Sequence, residues 1–192
     1  MISADSLSDY TLIGNGHSAA LVSRIGSVDW CCWPRFDSPA IFCRLLDSEH
    51  GGFFQLAPDT DFRVDRQYVD QTNVLETTFQ TDSGTLRLTD WIPALCPLLP
   101  ETYWSTSLIR RVECIAGQVS LRVHFRPSFD YARKSVSFRF DDLGAIAQSG
   151  DESLVLASPT RLTAEPRSLV GKHAMVAGDS HSFVLSYGKT SD

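Results

Sequence analysis

The sequence predicts an all-β fold, a large antiparallel two-sheet β-sandwich with one short helix, on three observations. Apolar and polar residues alternate at period two in run after run. Tight-turn residues separate these runs, and only one stretch carries helical spacing. A sheet with one apolar face must be covered by another layer, so many short strands joined by tight turns imply two packed sheets.

From the N-terminus, the first apolar run is Tyr10-Thr11-Leu12-Ile13, followed by Gly14-Asn15-Gly16-His17-Ser18-Ala19. The second segment matches the dinucleotide-binding G-x-G-x-x-A fingerprint and taken alone points to an oxidoreductase domain. That fingerprint requires a helix of several turns aimed at the pyrophosphate. Here Gly26 arrives seven residues after Ala19, and a strand-like Ser27-Val28-Asp29-Trp30 follows. A glycine turn between two strands, with Arg24-Ile25-Gly26-Ser27 as the next turn, is the better reading. The helical spacing comes next: Ile41, Phe42, Leu45 and Leu46 follow Ser38 as N-cap and Pro39 at the first helical position, and the helix ends before Gly51-Gly52.

Strands then follow at Phe62 and Val64, Leu86 and Leu88, Val136, Phe138 and Phe140, and Phe183, Leu185 and Tyr187. The cleanest alternation is Val119, Leu121, Val123 and Phe125, with Ser120, Arg122, His124 and Arg126 facing the other way. On this reading His124 is a solvated side chain. Turns are expected at Asp82-Ser83-Gly84, Ala116-Gly117, Gly150-Asp151 and Gly178-Asp179-Ser180. The closing Gly188-Lys189-Thr190-Ser191-Asp192 follows a strand and reads as the approach to a domain boundary.

Composition narrows the function. The 192 residues carry a formal net charge of -6 with seventeen scattered Lys and Arg, a surface that repels phosphate backbones, so no nucleic-acid partner is expected. A neutral substrate such as a sugar fits better. Met1-Ile2-Ser3-Ala4-Asp5 has neither a basic region nor an apolar run, and no stretch is long and apolar enough to span a bilayer. The five cysteines, two of them the neighbours Cys31 and Cys32, read as reduced buried thiols of a cytoplasmic protein. His17, His50, His124, His173 and His181 fall at no metal-ligand spacing and there is no Cys-x-x-Cys, so neither metal nor cofactor is expected. No Gly-x-Ser-x-Gly elbow supports a hydrolytic triad.

Two kinds of segment suit a sugar. Asp29-Trp30 and Asp90-Trp91 place a carboxylate beside an aromatic ring, although the edge of a sandwich core accounts for both. The segment Trp30-Cys31-Cys32-Trp33-Pro34-Arg35-Phe36-Asp37-Ser38-Pro39 is richer. Aromatic faces stack on sugar rings, and Arg and Asp bond hydroxyls in pairs, which makes Trp33, Arg35, Phe36 and Asp37 candidates for substrate binding or a domain interface. An internal plug, with Asp37 or Ser38 capping the helix and the rings filling one end of the sandwich, fits the same composition.

Asp9-Tyr10-Thr11-Leu12-Ile13-Gly14-Asn15-Gly16, Ala19-Ala20-Leu21-Val22, Gly26-Ser27-Val28-Asp29-Trp30 and Trp33-Pro34-Arg35-Phe36-Asp37-Ser38-Pro39 resemble the start of glycoside hydrolase family 15 proteins of the bacterial glucoamylase and trehalase type. Asn73-Val74-Leu75-Glu76-Thr77, Thr89-Asp90-Trp91-Ile92-Pro93, Arg110-Arg111-Val112 and Arg126-Pro127-Ser128-Phe129-Asp130-Tyr131 continue the likeness in family order. The resemblance implies that residues 1–192 are an N-terminal β-sandwich preceding a catalytic α/α barrel that lies downstream. In such enzymes one carboxyl protonates the leaving oxygen of an α-glucosidic bond and a second activates water. No residue here maps onto either, so no catalytic position is carried over. The implied function is a non-catalytic domain that supports the barrel and borders its active site, with the barrel and its α-glucoside as partners. An independent carbohydrate-binding module is the alternative, and a dinucleotide-binding oxidoreductase domain a second.

Overall fold

The computed structural model describes residues 6–94 and 106–189. Met1 to Asp5 and the Thr190-Ser191-Asp192 end of the tail lie outside them. In chain order the strands are β1 (Tyr10–Gly14), β2 (Ala19–Ser23), β3 (Ser27–Cys32), β4 (Ala40–Phe42), β5 (Phe53–Pro58), β6 (Arg63–Tyr68), β7 (Leu75–Thr81) and β8 (Gly84–Trp91). They continue with β9 (Ser107–Arg126), β10 (Ser137–Asp141), β11 (Gly144–Ser149), β12 (Glu152–Ala157), β13 (Thr163–Glu165), β14 (Ser168–Val176) and β15 (Ser180–Lys189). Every pairing is antiparallel, and the only helix among the described residues is a 3₁₀ turn at Leu7–Asp9. The dinucleotide-binding alternative falls here, because the glycine turn joins β1 to β2 as an antiparallel hairpin, and no helix follows to receive a pyrophosphate.

Two layers share one strand. The C-terminal half of β9 pairs with β5 and β14, in the layer ordered β1-β2-β3-β5-β9-β14-β13. Its N-terminal half pairs with β8 and β15, in the layer ordered β6-β7-β8-β9-β15-β12-β11-β10. The crossing point is the Ala116-Gly117 pair, which the sequence marks as a turn. It is a bulge instead: Thr85 pairs with Ala116 and Leu86 with Cys114, leaving Ile115 unpaired, and the strand bends without ending. Gly117 makes the bend possible. It sits at φ +68, and a Cβ there would stand 2.1 Å from the Ser83 carbonyl oxygen.

Alternation places the core as expected. Val119, Leu121, Val123 and Phe125 are buried, as are Leu86, Leu88, Phe183 and Leu185, and both layers feed a single cluster. Phe125 meets Phe42 and Phe54 edge to face, and Phe54 reaches Phe183 in the opposite layer at 6.4 Å between ring centres. His124 departs from its expected solvation. It occupies the outer face of β9, but the Phe53 ring stands edge-on at 4.7 Å and half buries it.

Two buried charge clusters brace the fold, and the first ties the layers together. Arg110 donates twice to Asp90, at 2.8 and 3.1 Å, and also to the carbonyls of Phe54 and Gly26 in the opposite layer. Asp29 accepts from Tyr10, from Ser27 at 2.6 Å and from Arg44 at 2.7 Å. Breaking such a pair typically costs about 3–5 kcal/mol, because the remaining charge is left buried and uncompensated. Asp29 and Asp90 are therefore structural, in agreement with a core-edge role.

The short helix expected after Ser38 does not form. Pro39 disfavours helical backbone at Ser38, and Ala40, Ile41 and Phe42 are all buried, which a helix with a single apolar stripe does not provide. They form β4 instead, paired with β3 through Cys31–Phe42 and Cys32–Ala40. Ser128 completes the segment: its N–H and hydroxyl both donate to the Ile41 carbonyl, at 2.9 and 3.2 Å. Leu45 and Leu46 fall in the turns that follow, with Leu46 exposed.

Candidate functional site

The connection from β3 to β4 carries the four candidate residues, and the structure divides them. Trp33 is buried, with its indole nitrogen lacking a hydrogen-bond partner. Behind it Ser18 donates to the Cys32 carbonyl at 2.9 Å, which fixes the end of β3 against the β1–β2 turn. The next peptide bond, Trp33–Pro34, is cis. The chain then emerges. Phe36 N–H donates to the His17 carbonyl at 2.9 Å, Ser38 N–H to the Arg35 carbonyl at 3.0 Å, and Arg35 N–H to the Ser38 hydroxyl at 3.2 Å. These bonds fix the backbone from which three exposed side chains project, without help from a helix.

Arg35 and Asp37 form a two-bond pair, Nε to Oδ1 at 3.0 Å and Nη2 to Oδ2 at 3.4 Å. Both side chains stand in solvent, and the guanidinium holds the Asp37 carboxyl below the usual carboxylate range. Between them the Phe36 ring is 64% exposed. It borders an open apolar cleft of about 410 Å³ lined also by Leu12, Gly14, Gly16, Ala19, Tyr68 and Asn73. The glycine turn and the aromatic loop thus meet at one place on the surface.

Leu12, Tyr68 and Asn73 were not singled out as site residues in the sequence. Leu12 faces outward from β1 and is 54% exposed; Tyr68, from β6, is 45% exposed and donates to the Leu12 carbonyl at 2.5 Å. The Asn73 amide donates to the Gly14 carbonyl, and Asn15 donates to the Pro93 carbonyl at 3.1 Å. Their only sequence trace is that Leu12, Asn15 and Asn73 lie within the ordered family motifs.

Asp29 and Asp90 are committed to Arg44 and Arg110. The free thiols of Cys31, Cys32, Cys43 and Cys114 are buried; burial pushes the Cys32 thiol up to about 11, far from a nucleophilic thiolate. Among the described residues no group of three or more His, Cys, Asp or Glu is placed to hold a metal ion, and no helix is long and apolar enough to cross a membrane.

Comparison with known proteins gives this arrangement a family. A trehalase from Thermoplasma volcanium is 32% identical over 182 residues, 92% of this chain and 28% of that protein. A trehalase from Mycolicibacterium smegmatis is 30% identical over 95% of this chain and 30% of its own length. The protein named trehalase 2 from Sulfolobus acidocaldarius is 35% identical over 64% of this chain. The chain therefore spans about 30% of the length of the first two relatives. The family model described as trehalase-like, N-terminal matches residues 2–185, and the chain belongs to that family.

Proposed function

We propose that residues 1–192 are the non-catalytic N-terminal domain of a trehalase-type α-glucosidase related to glycoside hydrolase family 15. Its hydrolytic carboxylates would lie in an α/α barrel outside this chain. The sandwich supports that barrel, and Arg35, Phe36 and Asp37 reach it and border the pocket for the glucoside. Trp33 anchors the loop from within. The observation that carries this reading is the Phe36 cleft: an apolar surface next to a preformed ion pair, on a loop fixed by backbone hydrogen bonds, is suited to a second protein surface and to hydroxyl groups. Trehalose is the favoured substrate because the compared relatives bear that activity in their names. The buried free thiols favour a reducing, cytoplasmic setting.

Arg35→Ala in a protein that contains the barrel tests the loop. The expected result is a fall in kcat/KM for trehalose of more than roughly tenfold, about 1.4 kcal/mol of transition-state stabilisation, with the melting temperature nearly unchanged. Full activity in the variant, or a collapse in stability with normal turnover by the fraction still folded, would make the loop purely structural.

A further inference from the structure

A second cleft, of about 670 Å³, lies between the β10–β11 hairpin and the segment 158–164 that leads from β12 to β13. Phe140, Asp141, Asp142 and Gly144 form one wall; Ser158, Thr160 and Arg161 are on the other. It has no lining residue in common with the Phe36 cleft.

Phe140 is the unusual member. It shares a face of β10 with Phe138, two residues earlier, and Phe138 packs against the core. Yet Phe140 is 50% exposed, because the cleft beside it leaves its ring uncovered. The backbone on either side of that ring is held in place. Asp141 Oδ1 accepts from the N–H groups of Leu143 and Gly144 at 2.9 and 3.0 Å, which locks the hairpin turn and sets Asp142 at its tip. Opposite, the Ser158 hydroxyl accepts from Thr160 N–H at 3.2 Å and donates to the Thr160 carbonyl at 2.8 Å, which fixes the backbone leading to Arg161. Thr160 is itself buried, and its hydroxyl has no hydrogen-bond partner.

We propose that this cleft binds a neutral sugar ring, as a carbohydrate site separate from the loop that faces the barrel. The apolar face of the ring covers Phe140, while vicinal hydroxyls donate to Asp142 and accept from Arg161. The opposite charges on the two walls favour a neutral, hydroxyl-rich ligand over an ion of either sign. The space suits a mono- or disaccharide, within the range of about 300–1,000 Å³ of small-molecule sites. Only the choice of an α-glucoside rests on the function proposed above.

The test is titration of the 192-residue chain with trehalose, maltose and maltotriose, read by calorimetry and by NMR shifts of residues 140–144 and 158–164. Saturable binding of at least one sugar is expected, with Kd on the order of 1 mM, an affinity suited to one stacked ring and a few hydrogen bonds. Phe140→Ala and Asp142→Ala should each weaken it by about threefold or more. Asp142 lies at an exposed turn, so its variant keeps the test valid if Phe140→Ala lowers stability. Absence of saturable binding by all three sugars, or a smaller loss in the Asp142 variant, overturns the proposal. The two readings fail separately: sugar titration of the 192-residue chain bears only on this cleft, and the effect of Arg35→Ala on kcat/KM in a barrel-containing protein bears only on the loop.

Discussion

His124 shows how one side chain can make the domain sensitive to pH. Burial against Phe53, reinforced by the positive charges of Arg122, Arg44 and Arg126 and opposed by Glu165, lowers its pKa to about 4. In the unfolded chain it titrates near its ordinary value of about 6.5. Between those values the unfolded state binds the proton more readily, so stability is full above about pH 6.5 and falls as the pH drops through about 4. His181, edge to face with His173 at 4.4 Å between ring centres, is shifted in the same direction by burial and by its neighbour. Thermal melts from pH 7 to pH 4 should show a loss of Tm that His124→Gln reduces. Parallel curves for the two proteins would remove His124 as the cause. The sequence located His124 on a polar face correctly but could not show that Phe53, far away in the chain, leans over it.

Strand β9 turns a break in the sequence pattern into continuity. Ala116-Gly117 reads locally as a turn, because glycine after a small residue is what a turn needs. The chain uses the same glycine to bend a strand, since β8 and β14 offer partners on either side of the bulge. Gly117→Ala should therefore destabilise by roughly 1–3 kcal/mol, through the positive φ and the Ser83 carbonyl together. Gly150 sits at φ +61 with open space around it, so Gly150→Ala isolates the backbone contribution and should cost less. Urea midpoints of the two variants provide the check, and equal losses would contradict the bulge explanation. The legible elements were those with period-two alternation, clearest in the second half of β9 and shorter in β8 and β15. The misread helix carried apolar spacing that suited either structure, and only the ladder to Cys31 and the Ser128 hydrogen bonds decide for a strand. For the candidate site, the loop and the glycine turn were each visible. Their junction with Leu12 and Tyr68 was not, since it depends on β6 passing beside β1.

Across the whole molecule, one core serves both layers and one strand belongs to each, so neither layer is an independent unit. Denaturant unfolding should give coincident transitions by sheet circular dichroism and by fluorescence of the tryptophans, which lie in both layers: Trp30 in β3 and Trp91 in β8. Separate midpoints would show that the layers come apart in sequence. The position of β15 carries a further consequence, one of timing. A ribosome makes the strands in numerical order, but the ladder needs β15 between β9 and β12. Until its ten residues, Ser180–Lys189, have been made, β10, β11 and β12 form a meander whose inner edge has no neighbour in the sandwich. That edge is open to pairing with another chain throughout the interval. A pause in translation before Ser180 would thus prolong the exposure of that edge until β15 closes the gap.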